Sequence, residues 1–240
     1  TGPITTIPSV LANTKEASAI TSTATLPPTR VMDVLEYEIG TEIGSKAFLA
    51  STYQSDLERA KASAQSLVGN LDARYLRAAG IKHRLGTVMI RTNAETDPLR
   101  DRVTSTGGKG RGSLAAFRDY WNKHPEEVGK THDLAVYHVK YPPSGMAYSN
   151  SVGTSNRYAT CGGNGATSWA NGTVVHEFGH SWGLKHNNSS GMFYESKPRN
   201  FAGSHAAGGS DVHVSVMHGG GSHNIGRLAT DEANKVYETR

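Results

Sequence analysis

Apolar positions recur with a helical period across residues 57–78. Leu57, Ala60, Ala64, Leu67, Val68, Leu71, Tyr75 and Ala78 form one stripe, which predicts a long helix with one face in a core. Ser55-x-x-Glu58 reads as a capping box at its start, and Gly80 as its stop. Around it the period changes to two. Val31 to Ile39 alternates and predicts a strand, and Ile81 to Thr92 predicts a second, centred on Gly86-Thr87-Val88-Met89-Ile90. Ser113 opens a short helix with Leu114, Phe117 and Trp121 on one side, and Asp133 to Val139 is a third strand. Asn171-Gly172-Thr173 supplies helix-start chemistry, after which Val174, Val175, Phe178 and Trp182 provide apolar faces. Leu228 to Tyr237, with Asp231 and Glu232 early, reads as a closing helix. Strand, long helix, strand, helix, strand is an α/β order.

Between these elements the pattern is aperiodic. Residues 1–30 are rich in Thr and Pro and read as an extended arm, with a pro-segment remnant as the alternative. Thr104 to Gly112, carrying Lys109 and Arg111, lacks the spacing of a phosphate-binding loop and reads as a surface loop. Tyr148 to Asn171 is rich in Ser, Asn and Gly and reads as a long surface loop containing Cys161. That cysteine could ligate a metal in principle, but with no second thiol nearby it reads as structural. The run from 187 to 215 is irregular and Gly-rich.

Composition narrows the classes. The 240 residues suit one domain, or two small lobes around a cleft. No apolar run approaches the roughly 18 residues of a membrane span. A formal charge of +4, without a dense Lys/Arg stripe, argues against a nucleic-acid binder. One cysteine excludes an internal disulfide. The start at Thr1-Gly2-Pro3, without Met or an apolar leader, reads as a processed or cut form.

The chemistry concentrates in His176-Glu177-Phe178-Gly179-His180-Ser181-Trp182-Gly183-Leu184-Lys185-His186. Residues four apart share a helix face, so His176 and His180 can reach one metal ion. Glu177 sits one residue along, placed to address water without being a ligand. Gly183 tolerates φ > 0, so the chain can leave the helix sharply and return His186 as a third ligand. Three neutral imidazoles leave a fourth position open, the arrangement of a catalytic zinc site.

This H-E-x-x-H-x-x-G-x-x-H pattern resembles that of the metzincin zinc endopeptidases, the clan of astacins, serralysins, matrix metalloproteases and the ADAM/reprolysin group. Ser215-Val216-Met217-His218 resembles the clan's methionine turn beneath the metal. Gly145-Met146-Ala147-Tyr148 is similar to the sheet-edge segment above the cleft in the ADAM-like branch, where an extended peptide pairs. The resemblance implies a twisted mixed sheet with a backing helix and the zinc helix in an upper lobe, about 31–183. A small irregular lower lobe with the Met turn and the C-terminal helix, about 184–240, would follow. One chain departure matters: astacins and serralysins carry a Tyr two residues after the turn Met, where this chain has Gly219. That favours the ADAM/reprolysin-like or gametolysin-like branch.

The implied function is a zinc endopeptidase with Glu177 as general base, one catalytic Zn2+, and a protein or peptide substrate held extended in the cleft. The resemblance leaves room for Ca2+, which no residue pattern indicates. A monomer, secreted or in the cell envelope, is expected. Because residues 1–30 hold no cysteine, they cannot block zinc through a thiolate. His205, His213, His218 and His223 crowd the later segment, as a second metal site or pocket-lining groups, or as solvated side chains of a Gly-rich loop, the reading favoured because no ligand spacing repeats. The rival functions are a zinc-containing adhesion module without proteolysis and a protease restricted to glycoproteins.

Overall fold

The computed structural model describes residues 33–100, 111–129, 132–140, 145–162, 167–186, 216–217, 228 and 230–240. In chain order the elements are β1 (Leu35–Ile43), α1 (Ser45–Phe48), α2 (Leu57–Ala79), β2 (Ile81–Ile90), α3 (Arg111–Lys123), α4 (Pro125–Val128), β3 (Leu134–Val139), β4 (Gly145–Ala147), β5 (Tyr158–Gly162), α5 (Thr167–Ser181) and α6 (Thr230–Thr239).

The five strands form one sheet in the order β2-β1-β3-β5-β4. β1 pairs in parallel with β2 and with β3, β3 pairs in parallel with β5, and β4 closes that side antiparallel to β5. The mixed α/β sheet expected from the sequence is present. Helices cover both faces. Leu134, Val136, Ala159 and Cys161 point into a core with α2, α5 and α6, where Leu67, Leu71, Tyr75, Val175, Phe178 and Trp182 meet them. Ala135, Tyr137, Val139 and Tyr158 point the other way, against Leu114, Phe117 and Trp121 of α3. A strand covered on both faces is buried at every residue, as β3 and β5 are.

That double coverage explains the strands that were misplaced or missed. β1 was expected over 31–39 but runs from Leu35 to Ile43, and its last five residues are all buried. At Gly40 the Trp121 ring lies where a Cβ would be, and the strand continues through an irregularity between Ile39 and Thr41. Glu42, buried in this strand, accepts from the Trp121 indole and pairs with Arg91 at 2.9 Å. The stretch from Tyr148 to Asn171 is not one long surface loop, because it contains β5. Cys161, 1% exposed, faces the main core there. Five buried residues between Ser-, Asn- and Gly-rich flanks show no alternation to detect.

Helix ends also moved. The stripe of α2 is as expected at Ala60, Ala64, Leu67, Leu71 and Tyr75, and Gly80 is its left-handed C-cap. The capping box does not form. Asp56 is the N-cap and accepts from the Arg59 N–H at 3.0 Å, while Ser55 sits at φ 59°. Leu57 consequently lies outside the buried stripe, 41% exposed. Helix α3 begins at Arg111, so Ser113 lies in its first turn instead of capping it. Helix α5 begins at Thr167, four residues before the Asn171-Gly172-Thr173 start read from the sequence. Helix α6 spans Thr230–Thr239, and Leu228 precedes it as a buried core residue. The four-residue helices α1 and α4 are too short to show a period.

The arm 1–30, most of the 104–112 loop, the irregular run 187–215 and the histidines His205, His213, His218 and His223 lie outside the described residues, as does Gly219.

Candidate metal centre

Helix α5 crosses the main core with Val174, Val175 and Phe178 buried. The Tyr75 hydroxyl of α2 donates to the Val175 carbonyl at 2.8 Å. This bond ties α5 to α2 one residue before His176. After Ser181 the chain turns through Gly183 at φ +86°, a conformation that L side chains rarely adopt. The Leu184 N–H returns to the Gly179 carbonyl at 2.9 Å, and His186 follows two residues on.

The turn brings the third imidazole to the first two. His186 Nε2 lies 3.1 Å from His176 Nε2 and 3.1 Å from His180 Nε2. All three ligand atoms fall within 4.8 Å of one another. The outer nitrogens fix the tautomers. His176 Nδ1 faces the Val216 carbonyl, and His180 Nδ1 faces the Leu184 carbonyl at 2.8 Å. A nitrogen against a carbonyl oxygen must carry the proton. The Nε2 atoms of His176 and His180 therefore present lone pairs to the common point. One N–H on His186 Nε2 cannot serve both lone pairs at full strength, so the cluster fits a cation better than it fits itself. Burial lowers the His180 pKa, which favours the neutral, ligating form.

Glu177 lies 6% exposed on the next position of the helix. Burial pushes its carboxyl up to about 8, and a dication at the triad would work against that shift. The carboxylate rests directly on Gly145 of β4: a Cβ there would collide with Glu177 Cγ, Cδ and Oε1. The edge segment singled out in the sequence, Gly145, Met146, Ala147 and Tyr148, therefore runs beside the acid. It is half-buried, and among the described residues β4 pairs on one side only, with β5.

Beneath the helix, Met217 is fully buried, and its sulfur occupies the space a Cβ on Gly179 would need. Met217 thus supports the helix turn between His176 and His180, and Val216 beside it orients His176. Sequence reasoning did not anticipate Gly179, Tyr75 or the Val216 carbonyl as parts of the site. Tyr75 was visible only as an apolar-stripe position, and a backbone carbonyl leaves no sequence signal.

A sheet with a closing antiparallel edge strand, a helix bearing two histidines and a glycine turn returning a third define a metzincin-like fold around a metal-binding centre. The model of the Metallo-peptidase family M12 matches residues 46–216, and the chain belongs to that family. Its members are zinc metallopeptidases, and the triad offers the corresponding donor set. No curated protein matches the sequence. Among solved structures, one described as "Structure of a chaperone-substrate complex" is similar with a TM-score of 0.56 at 14% identity, over 86% of this chain and 34% of that one. At that identity the likeness concerns the fold, and this chain spans about a third of that protein. Among the described residues, no helix is long and apolar enough to cross a membrane.

Proposed function

We propose that residues 31–240 form the catalytic domain of a zinc endopeptidase, in the ADAM/reprolysin-like or gametolysin-like branch, acting on proteins outside the cell. The observation that carries this reading is the convergence of three Nε2 atoms beside a buried carboxylate that lies against an open sheet edge.

His176, His180 and His186 would hold one zinc ion. When bound, that ion supplies Lewis acidity, acidifying water and polarising a carbonyl oxygen. The residues of the chain do the rest. The edge of β4 offers backbone N–H and C=O groups to an extended peptide, which would align its scissile bond beside Glu177. Glu177 takes a proton from the attacking water as the new C–O bond forms. It then delivers that proton to the nitrogen of the leaving amine as the C–N bond breaks. The contact with Gly145 restricts the carboxylate to one side of its pocket, so its reach towards the edge strand is set in advance.

The test combines metal analysis with a digest. Purified protein should carry one equivalent of zinc, His176→Ala, His180→Ala and His186→Ala should each lose most of it, and a peptide library should be cleaved internally. Zinc retained in all three variants would remove the triad from the reading. A zinc-replete protein that cleaves neither plain nor glycosylated peptides would point to the adhesion module.

A further inference from the structure

Helix α5 closes in a glycine turn: the Gly183 N–H donates to the His180 carbonyl at 2.8 Å and the Leu184 N–H to the Gly179 carbonyl at 2.9 Å. The carbonyls of His180 and Ser181 are also met from a different part of the chain. The Asn150 N–H donates to the His180 carbonyl at 3.2 Å, and the Ser151 N–H donates to the Ser181 carbonyl at 2.9 Å. Asn150 holds this position at φ +52°, a left-handed conformation that asparagine tolerates better than most residues. Its side chain does something further. Asn150 Oδ1 sits directly over Gly183, in the space a Cβ would occupy, with Cγ 3.2 Å from that point.

The contact matters because of what Gly183 precedes. The next residue, Leu184, orients His180 through its carbonyl, and His186 lies three residues beyond Gly183. Among the described residues no other side chain comes as near the Gly183 Cβ point: the third neighbour, Lys235 Cε, is 3.8 Å away. Asn150 also borders a pocket of about 230 Å³, shared with Tyr37, Asp133, Val152 and Trp182.

We propose that Asn150 is a positioning residue for the metal centre: its amide oxygen pins the Gly183 turn, and through the Leu184 carbonyl it sets the direction of the His180 ring. The proposal rests on the zinc reading above. It ties the ligand turn to the substrate edge, because Asn150 is three residues from the end of β4 and the Ser151 hydroxyl holds the Tyr148 carbonyl at 2.8 Å. The segment 145–151 therefore touches the proton carrier at Gly145 and the ligand turn at Asn150.

The side chain and the backbone role separate by substitution. Asn150→Gly keeps the left-handed conformation and the N–H to His180 but removes Oδ1. Asn150→Asp keeps an oxygen at the same place. Zinc affinity by competition with a chromophoric chelator, the visible spectrum of the Co2+-substituted protein, and urea stability of the metal-free protein are measured for each. Asn150→Gly should leave metal-free stability unchanged, weaken zinc binding by about tenfold, the lower end of what partners of metal ligands typically contribute, and alter the Co2+ bands. Asn150→Asp should restore both. A glycine variant with wild-type zinc affinity and an unchanged Co2+ spectrum overturns the proposal and leaves Asn150 a turn residue only. If the wild-type protein itself binds neither zinc nor Co2+, the fault lies with the zinc reading.

Discussion

Gly145 and Glu177 form a contact in which either partner limits the other. A methyl group at position 145 has no room unless the Glu177 carboxylate moves. Gly145→Ala should therefore displace the proton carrier without touching the metal ligands. A displacement near 1 Å can cost about 10²-fold in rate, so kcat should fall steeply with zinc content unchanged. Steady-state kinetics on samples of known zinc content checks this, and an alanine variant with normal kcat would show that the carboxylate needs no such seat. Glu177→Gln removes proton acceptance with little change in shape. General acid–base help is worth about 10²–10⁴-fold, and one residue serving both steps places the loss towards the upper end. Zinc retained with turnover lost is the expected pairing. Loss of both together, with activity restored by excess zinc, would make Glu177 a support for the ligands instead.

Among the elements, α5 depends on α2 for its placement. The Tyr75 hydroxyl reaches the Val175 carbonyl in a fully buried contact, and burial holds its pKa well above the ordinary tyrosine range. Tyr75→Phe should lower stability by about 1 kcal/mol, the usual net worth of one hydrogen bond. Urea unfolding of the metal-free protein measures it, and an unchanged midpoint would mean the apolar packing of α2 on α5 suffices. The same pair shows what could be read in advance. The stripe of α2 and the ligand spacing of α5 were legible, because both follow a helical period. That Tyr75 uses its hydroxyl was not, since the stripe counts it only as apolar. Residues 158–162 were illegible for a different reason: β5 lies between β3 and β4 and is covered on both faces, so polar and apolar positions do not alternate, and Thr160 and Cys161 are both buried. The capping box failed on a local competition, as Asp56 took the cap one residue beyond Ser55.

For the molecule as a whole, acid is the expected weakness. Burial lowers the pKa values of His132 and His138 to about 4. Among the described residues, neither His132 nitrogen has a hydrogen-bond partner, and neither does His138 Nε2. A histidine whose folded pKa lies below its unfolded value of about 6.5 contributes stability above that value and loses it as the pH falls towards 4. The loss is on the order of 3 kcal/mol for each ring once both states are protonated. Urea midpoints should fall steadily between pH 6.5 and 4, and ring proton signals in NMR should show both histidines still neutral at pH 5.5. Titration of either ring near 6.5 would remove it from this account.

Strand β1 carries a consequence in time. Leu35 of β1 lies beside Ile81, and Ile39 beside Leu134. β1 must therefore wait for partners far along the chain, and sheets built on such distant pairings fold slowly, in about milliseconds to seconds. The helix that carries the histidines packs on β5 and β4, and His176 further needs Val216 from beyond the turn. Ligands that depend on such distant partners should be absent from the rate-limiting step. Zinc should leave the refolding rate unchanged and slow unfolding alone. Stopped-flow refolding from urea, with zinc and with chelator, reads both limbs. A several-fold acceleration of refolding by zinc would mean that the metal recruits the chain before the sheet does.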